Sequence, residues 1–128
     1  MTQPPLILIV EDNPANQLLA SSVLERDGFR VDLAASTAEA RERMKAHVPN
    51  LILMDIQLPG QDGLSYAREL KADALTAAIP IVALTAHAML GDREGALAAG
   101  CAAYIPKPID TRTFAEQVRK ILSSAAGV

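Results

Sequence analysis

The chain predicts a doubly wound α/β fold: a five-stranded parallel sheet covered by helices on both faces. Three observations lead there. Short apolar runs recur at regular intervals, the segments between them carry apolar residues at helical spacing, and most of those segments open on a capping residue or close on a glycine. Strand and helix alternate five times. Such alternation joins parallel strands through right-handed crossovers.

The first apolar run is LILIV, residues 6–10. It is continuous, as a strand covered on both faces requires. Asn13 followed by Pro14 reads as the N-cap and first turn of helix one, which stops at Gly28. The run RVDLAA, 30–35, alternates more and suits an edge strand. Ser36 with Glu39 forms a capping box for helix two, whose apolar face is Ala40, Met44 and Val48. LILM, 51–54, is the third strand; Asp62 then caps helix three, with Leu64, Ala67 and Leu70 on one face. IVAL, 81–84, precedes helix four, which runs from about His87 to Ala99 and stops at Gly100. AAYI, 102–105, is the last strand, and Asp110 caps helix five, with Phe114, Val118, Ile121 and Leu122 at apolar spacing. All 128 residues are expected to form one domain, with its core at about 5–122.

Composition excludes several functions. A net charge of −3 and the lack of any Lys/Arg run oppose a nucleic-acid partner. Aromatic residues are 3% of the chain and Trp is absent, which leaves no platform for stacking bases. The single Cys101 excludes an internal disulfide and, with two distant histidines, a structural zinc site; it reads as a small buried filler. No apolar stretch is long enough to span a bilayer and no segment resembles a secretory signal, so a cytoplasmic protein without a membrane partner is expected.

The polar residues that follow the strands carry the functional signal. In an open parallel sheet, ligands bind at the carboxyl ends of the strands. Glu11 and Asp12 follow the first run, Asp55 the third, Thr85 the fourth, and Pro106, Lys107 and Pro108 the fifth. Parallel strands would bring three carboxylates, a hydroxyl and an ammonium to one crevice. Clustered acids repel unless a cation compensates them. Mg²⁺ suits such a site, because it prefers oxygen ligands and commonly binds through one or two carboxylates plus a phosphate. A carboxylate nucleophile, a metal and two oxygen-binding side chains make up a phosphoryl-transfer site. Taken singly, each residue has an ordinary reading. Asp55 can be a turn residue, Glu11 and Asp12 can favour a helix dipole, Thr85 can be a cap and Lys107 a solvated charge. Their placement after four separate strands argues for a joint role.

The segments LILIVEDNPANQLLA, LILMDIQLPGQDG, PIVALTAHAM and AAYIPKPID together resemble the receiver domain of two-component response regulators, over nearly the whole chain. At finer grain they are similar to stand-alone receivers of the DivK type and to the receivers of hybrid histidine kinases. The resemblance implies a flavodoxin-like (βα)5 receiver fold with strand order 2-1-3-4-5. It implies that Asp55 is the phosphoacceptor. Glu11, Asp12, Asp55 and the backbone carbonyl of Gln57 would hold Mg²⁺, or Mn²⁺ as its substitute. Thr85 and Lys107 would bind phosphoryl oxygens, with Lys107–Pro108 a cis peptide. Tyr104 would be a switch residue moving with Thr85, Pro59 and Gly63 would shape the loop after Asp55, and Gln57 and His87 would flank the site and tune hydrolysis. Glu11 stands where many receivers have Asp, which lengthens one arm of the metal site.

The resemblance also implies partners. A histidine kinase or histidine phosphotransfer protein would donate the phosphoryl group, docking on helix one near Asn16, Gln17 and Ala20. A downstream protein would read the surface of helix four, strand five and helix five. Gly91 and Gly95 either loosen helix four or allow close packing, and Met89 is either core or contact. Competing readings are a receiver module of a hybrid-kinase phosphorelay, a pseudo-receiver that never takes phosphate, and a haloacid-dehalogenase-like phosphohydrolase. The last resembles D-x-D at its nucleophile, whereas DIQ puts Gln57 at the second position. A signalling domain rather than a turnover enzyme is therefore expected. No nucleotide-binding glycine loop is present.

Overall fold

Five strands, β1 (Leu6–Val10), β2 (Arg30–Ala34), β3 (Leu51–Asp55), β4 (Ile81–Thr85) and β5 (Ala103–Pro106), form one sheet in the order β2-β1-β3-β4-β5. Every neighbouring pair is parallel. The computed structural model describes residues 4–56, 58, 63–85 and 90–125. The intervening helices are α1 (Pro14–Arg26), α2 (Thr37–Ala46), α3 (Gly63–Ala72), α4 (Leu90–Ala98) and α5 (Phe114–Ala125). This is the predicted flavodoxin-like topology, with β2 at an edge.

β1, β3 and β4 are buried at every position, which is why they read as unbroken apolar runs. Side chains alternate between the faces of a strand, so each strand serves two cores. Ile7, Ile9, Leu51, Leu53, Val82 and Leu84 pack with Val23 and Leu24 of α1 and Phe114 and Val118 of α5. Leu8, Val10, Ile52, Met54, Ile81 and Ala83 pack on the other face with Ala40 of α2, Tyr66 and Leu70 of α3, and Ala96 of α4. Cys101 is buried in that second cluster, as expected.

The caps follow the sequence signals. The Asn13 side chain accepts from Ala15 N and Asn16 N at 2.9 and 3.1 Å. Ser36 Oγ accepts from Glu39 N at 3.2 Å, and Glu39 Oε1 accepts from Ala35 N at 3.2 Å, one residue outside the expected box. Gly28 and Gly100, which follow α1 and α4, have φ of +94° and +97°, the left-handed turn that glycine adopts without strain.

Some boundaries differ. α2 ends at Ala46 and Val48 is 69% exposed, not on its apolar face. Val48 precedes Pro49, and the proline ring disfavours helical backbone at the residue before it. Asp110 does not cap α5 directly. Its Oδ1 accepts from Arg112 N and its carbonyl from Thr113 N and Phe114 N, making a turn ahead of the helix. β3 and β4 each run one residue further than expected and end on Asp55 and Thr85. β5 is shifted one residue along, and β2 ends one residue early at Ala34. Asp62, and helix four before Leu90, lie outside the described residues. Among the described residues no helix is long and apolar enough to cross a membrane.

Candidate functional site

The carboxyl end of the sheet delivers the polar residues in register. Glu11 follows β1, and its N–H donates to Ala34 O at 2.9 Å, continuing the ladder with β2. Asp55 is the last residue of β3 and pairs with Leu84 of β4. Thr85 ends β4 and pairs with Pro106 of β5. The Lys107 N–H donates to Thr85 O at 2.6 Å, and the Lys107–Pro108 peptide is cis. The backbone therefore sets Lys107 beside the ends of β3 and β4, as the sequence predicted.

The side chains converge. Lys107 Nζ donates to Glu11 Oε1 at 2.8 Å and to Asp55 Oδ2 at 2.9 Å. Glu11 is 1% exposed, Asp55 3% and Thr85 fully buried, whereas Asp12 faces solvent. Burial pushes the Glu11 carboxyl above its usual range, and the adjoining Asp55 adds to this against the opposing pull of Lys107 and Asn16. Burial alone would lower the Lys107 pKa, but its bonds to Glu11 and Asp55 outweigh that and hold it above the ordinary lysine value.

This arrangement fits a hard cation. One carboxylate oxygen from each of Glu11, Asp12 and Asp55 lies within 4.8 Å of the others. Glu11 Oε2 is buried without a hydrogen-bond partner, a state that costs roughly 1–3 kcal/mol or more for a charged group. Among the described residues, three carboxylates face a single ammonium, so the cluster stays formally negative. An all-oxygen set open to water on the Asp12 side suits Mg²⁺ rather than zinc.

Tyr104 is half-buried on β5 and pairs with Ala83, two residues before Thr85. Strand alternation puts Tyr104 and Thr85 on the same face of the sheet. Gly63 opens α3 directly against β3: a Cβ there would stand 2.4 Å from Asp55 O. Gln57, Pro59, His87 and Met89 lie outside the described residues.

Two residues expected at a docking surface also bond Glu11. Asn16 Nδ2 donates to Glu11 Oε1 at 2.8 Å, and Gln17 Nε2 donates to Glu11 O at 2.6 Å. Both sit in the first turn of α1, where a capped helix aims them back at the residue leaving β1. That short spacing, two amides five and six residues after an acid across an N-cap, was the available signal. Ala20, the third expected contact, is 4% exposed and packs into the core under α1.

The model of the response regulator receiver domain matches residues 7–119. This chain belongs to the response-regulator receiver family. The polar-differentiation response regulator DivK of Brucella ovis is 42% identical over 119 residues, covering 93% of this chain and 97% of that protein. DivK of Brucella anthropi is 41% identical over 122 residues, covering 95% and 99%. Among solved structures, a receiver domain protein from Methanospirillum hungatei superposes with a TM-score of 0.87 at 29% identity, covering 97% of this chain and 98% of that one. The receiver domain of a sensor histidine kinase from Pseudomonas aeruginosa, with magnesium coordinated in its active-site cleft, has a TM-score of 0.81 at 38% identity, covering 98% and 99%. The protein is a DivK-like receiver of two-component signalling, and its acidic cluster fits the family's phosphoacceptor site.

Proposed function

We infer that this receiver accepts a phosphoryl group from the phosphohistidine of a histidine kinase or histidine phosphotransfer protein, with Asp55 as the acceptor. The observation that carries this is the contact of Lys107 with both Asp55 and Glu11 at the carboxyl end of the sheet. A carboxylate oxygen of Asp55 attacks phosphorus in line with the breaking P–N bond, and the imidazole leaves. The Lys107 ammonium sits within reach of the charge that grows on the phosphoryl oxygens, where a preset donor acts most strongly. Thr85, the last residue of the next strand, would offer its hydroxyl to a second oxygen. Glu11, Asp12, Asp55 and the carbonyl of Gln57 would hold Mg²⁺, or Mn²⁺ in its place. The bound ion supplies charge neutralisation between the carboxylate and the incoming phosphoryl group.

The product is an aspartyl phosphate that water hydrolyses, so the domain takes and loses its own phosphoryl group and turns over no external substrate. Gln57 and His87 are proposed to tune that hydrolysis. Phosphorylation adds roughly −1.5 to −2 charges beside Thr85. Thr85 moving toward the phosphoryl group would free space for Tyr104, which shares its face of the sheet. Leu97 of α4 is a large apolar residue that is 48% exposed, which supports a protein-reading surface on α4, β5 and α5. A cytoplasmic location fits phosphotransfer from a kinase.

Incubation with Mg²⁺ and acetyl phosphate, followed by intact-mass measurement, tests the reading. Wild type should gain a labile phosphate and Asp55→Asn should not; an equal adduct on both would sink it. A receiver module within a hybrid-kinase phosphorelay is the second reading, favoured by the Pseudomonas receiver, which comes from a sensor histidine kinase. Rapid return of the phosphoryl group to a histidine phosphotransfer protein would select that reading.

A further inference from the structure

We propose that Asn16 is the positioning residue that allows a glutamate to serve at position 11 of this metal site. The inference rests on the receiver reading above and concerns how this chain builds the site. Glu11 carries one more methylene than an aspartate, and with it one more rotatable bond between backbone and carboxylate. A ligand with that freedom must be held, because ordering a long side chain costs entropy at the moment of binding. The structure holds it at three points. Gln17 Nε2 grips the Glu11 carbonyl at 2.6 Å, while Asn16 Nδ2 and Lys107 Nζ both donate to Oε1 at 2.8 Å. With Oε1 doubly bonded, the carboxylate cannot spin without losing both partners. Oε2 is left buried and unpartnered as the oxygen for the cation.

Asn16 is itself fixed. It lies in the first turn of α1, where its N–H donates to the Asn13 side chain at 3.1 Å. The amide contributes no charge, so it orients Glu11 without competing with the cation. Lys107 alone would not suffice, since it divides its bonds between Glu11 and Asp55 and is expected to engage the phosphoryl group. Asn16 Nδ2, by contrast, is bonded to Glu11 and not to Asp55.

The test is a double-mutant cycle of Asn16→Ala and Glu11→Asp. Mg²⁺ affinity of the unphosphorylated protein is read by NMR titration at neutral pH, with thermal melts in EDTA as a check on the fold. Loss of a residue that orients a metal ligand typically weakens binding by about 10–100-fold. N16A should therefore bind Mg²⁺ about 10-fold more weakly in the wild-type background, with a melt in EDTA that stays cooperative at a somewhat lower temperature, because a bond to a buried carboxylate is lost. In the E11D background the shorter arm falls short of the amide, and N16A should change affinity by less than about 2-fold. Unaltered Mg²⁺ affinity in N16A, or an equal loss in both backgrounds, would overturn the assignment. Absence of Mg²⁺ binding by wild type would overturn it together with the metal site itself, and that outcome is distinguished by the wild-type titration alone.

Discussion

Lys107 Nζ and Asp55 Oδ2 lie 2.9 Å apart although 52 positions separate them in the chain. The contact is a buried ion pair that also engages Glu11. Replacing Lys107 with Met removes the only cation bonded to these acids among the described residues. The pocket then becomes more negative. Lys107→Met should bind Mg²⁺ at least as tightly as wild type, yet take phosphate from acetyl phosphate about 100-fold more slowly, because a preset donor to the transferring oxygens is lost. Titration and rate measured on the same sample separate the two effects.

Glu11 gives the metal-free protein an unusual pH response. Its folded pKa lies above its ordinary value of 4.5, so the folded state holds that proton more tightly than the unfolded chain does. Stability contributed by Glu11 therefore rises as pH falls from above the folded pKa toward 4.5. Urea melts in EDTA, compared with Glu11→Gln, isolate the contribution. The variant should be more stable than wild type at pH 7, and the gap should close on acidification. Saturating Mg²⁺ should raise the stability of wild type and leave Glu11→Gln nearly unmoved.

Two glycines predict opposite outcomes. A Cβ on Gly63 would meet Asp55 O at 2.4 Å and Ile56 Cα at 2.8 Å, both backbone atoms that cannot turn aside. Gly63→Ala should cost about 1–3 kcal/mol and displace the phosphoacceptor. A Cβ on Gly95 would meet only Leu64 Cδ1, at 3.5 Å, an ordinary contact. Gly95→Ala should stabilise the protein by roughly 0.5–1 kcal/mol through helix propensity. Hydrogen exchange should show greater protection along α4 in that variant; unchanged protection would show that Gly95 does not loosen the helix.

Cys101 should be inert in the native state. Burial pushes its thiol up to about 11, well above the reactive range. Alkylation by iodoacetamide at pH 8 should be slow until denaturant is added. The raised pKa also means that the unfolded chain loses this proton first, so its contribution to stability falls as pH rises above 9. Cys101→Ala should lack that alkaline component.

Much of this was legible in the residues themselves. Asn13, Ser36, Gly28 and Gly100 act through local backbone chemistry, so their turns and caps lie where the sequence put them. The apolar runs stop one residue short of the strand ends at Asp55 and Thr85. Polarity marked the end of each apolar run, but hydrogen bonding across the sheet extends it. Val48 kept the helical spacing, yet Pro49 decided the backbone before it.

The candidate site divides in the same way. The identity of its acids, hydroxyl and ammonium, and their place after the strands, followed from the sequence by itself, because a parallel α/β alternation sends every strand end to one edge of the sheet. The direction of the Asn16 and Gln17 amides did not follow. The family resemblance offered them as contacts for a phosphodonor, and only the tertiary packing of α1 against β1 shows them bonded to Glu11. Which oxygen of Glu11 is bonded and which is left over was likewise decided by the fold. Side-chain direction depends on neighbours distant in the chain, and periodicity carries no information about those neighbours.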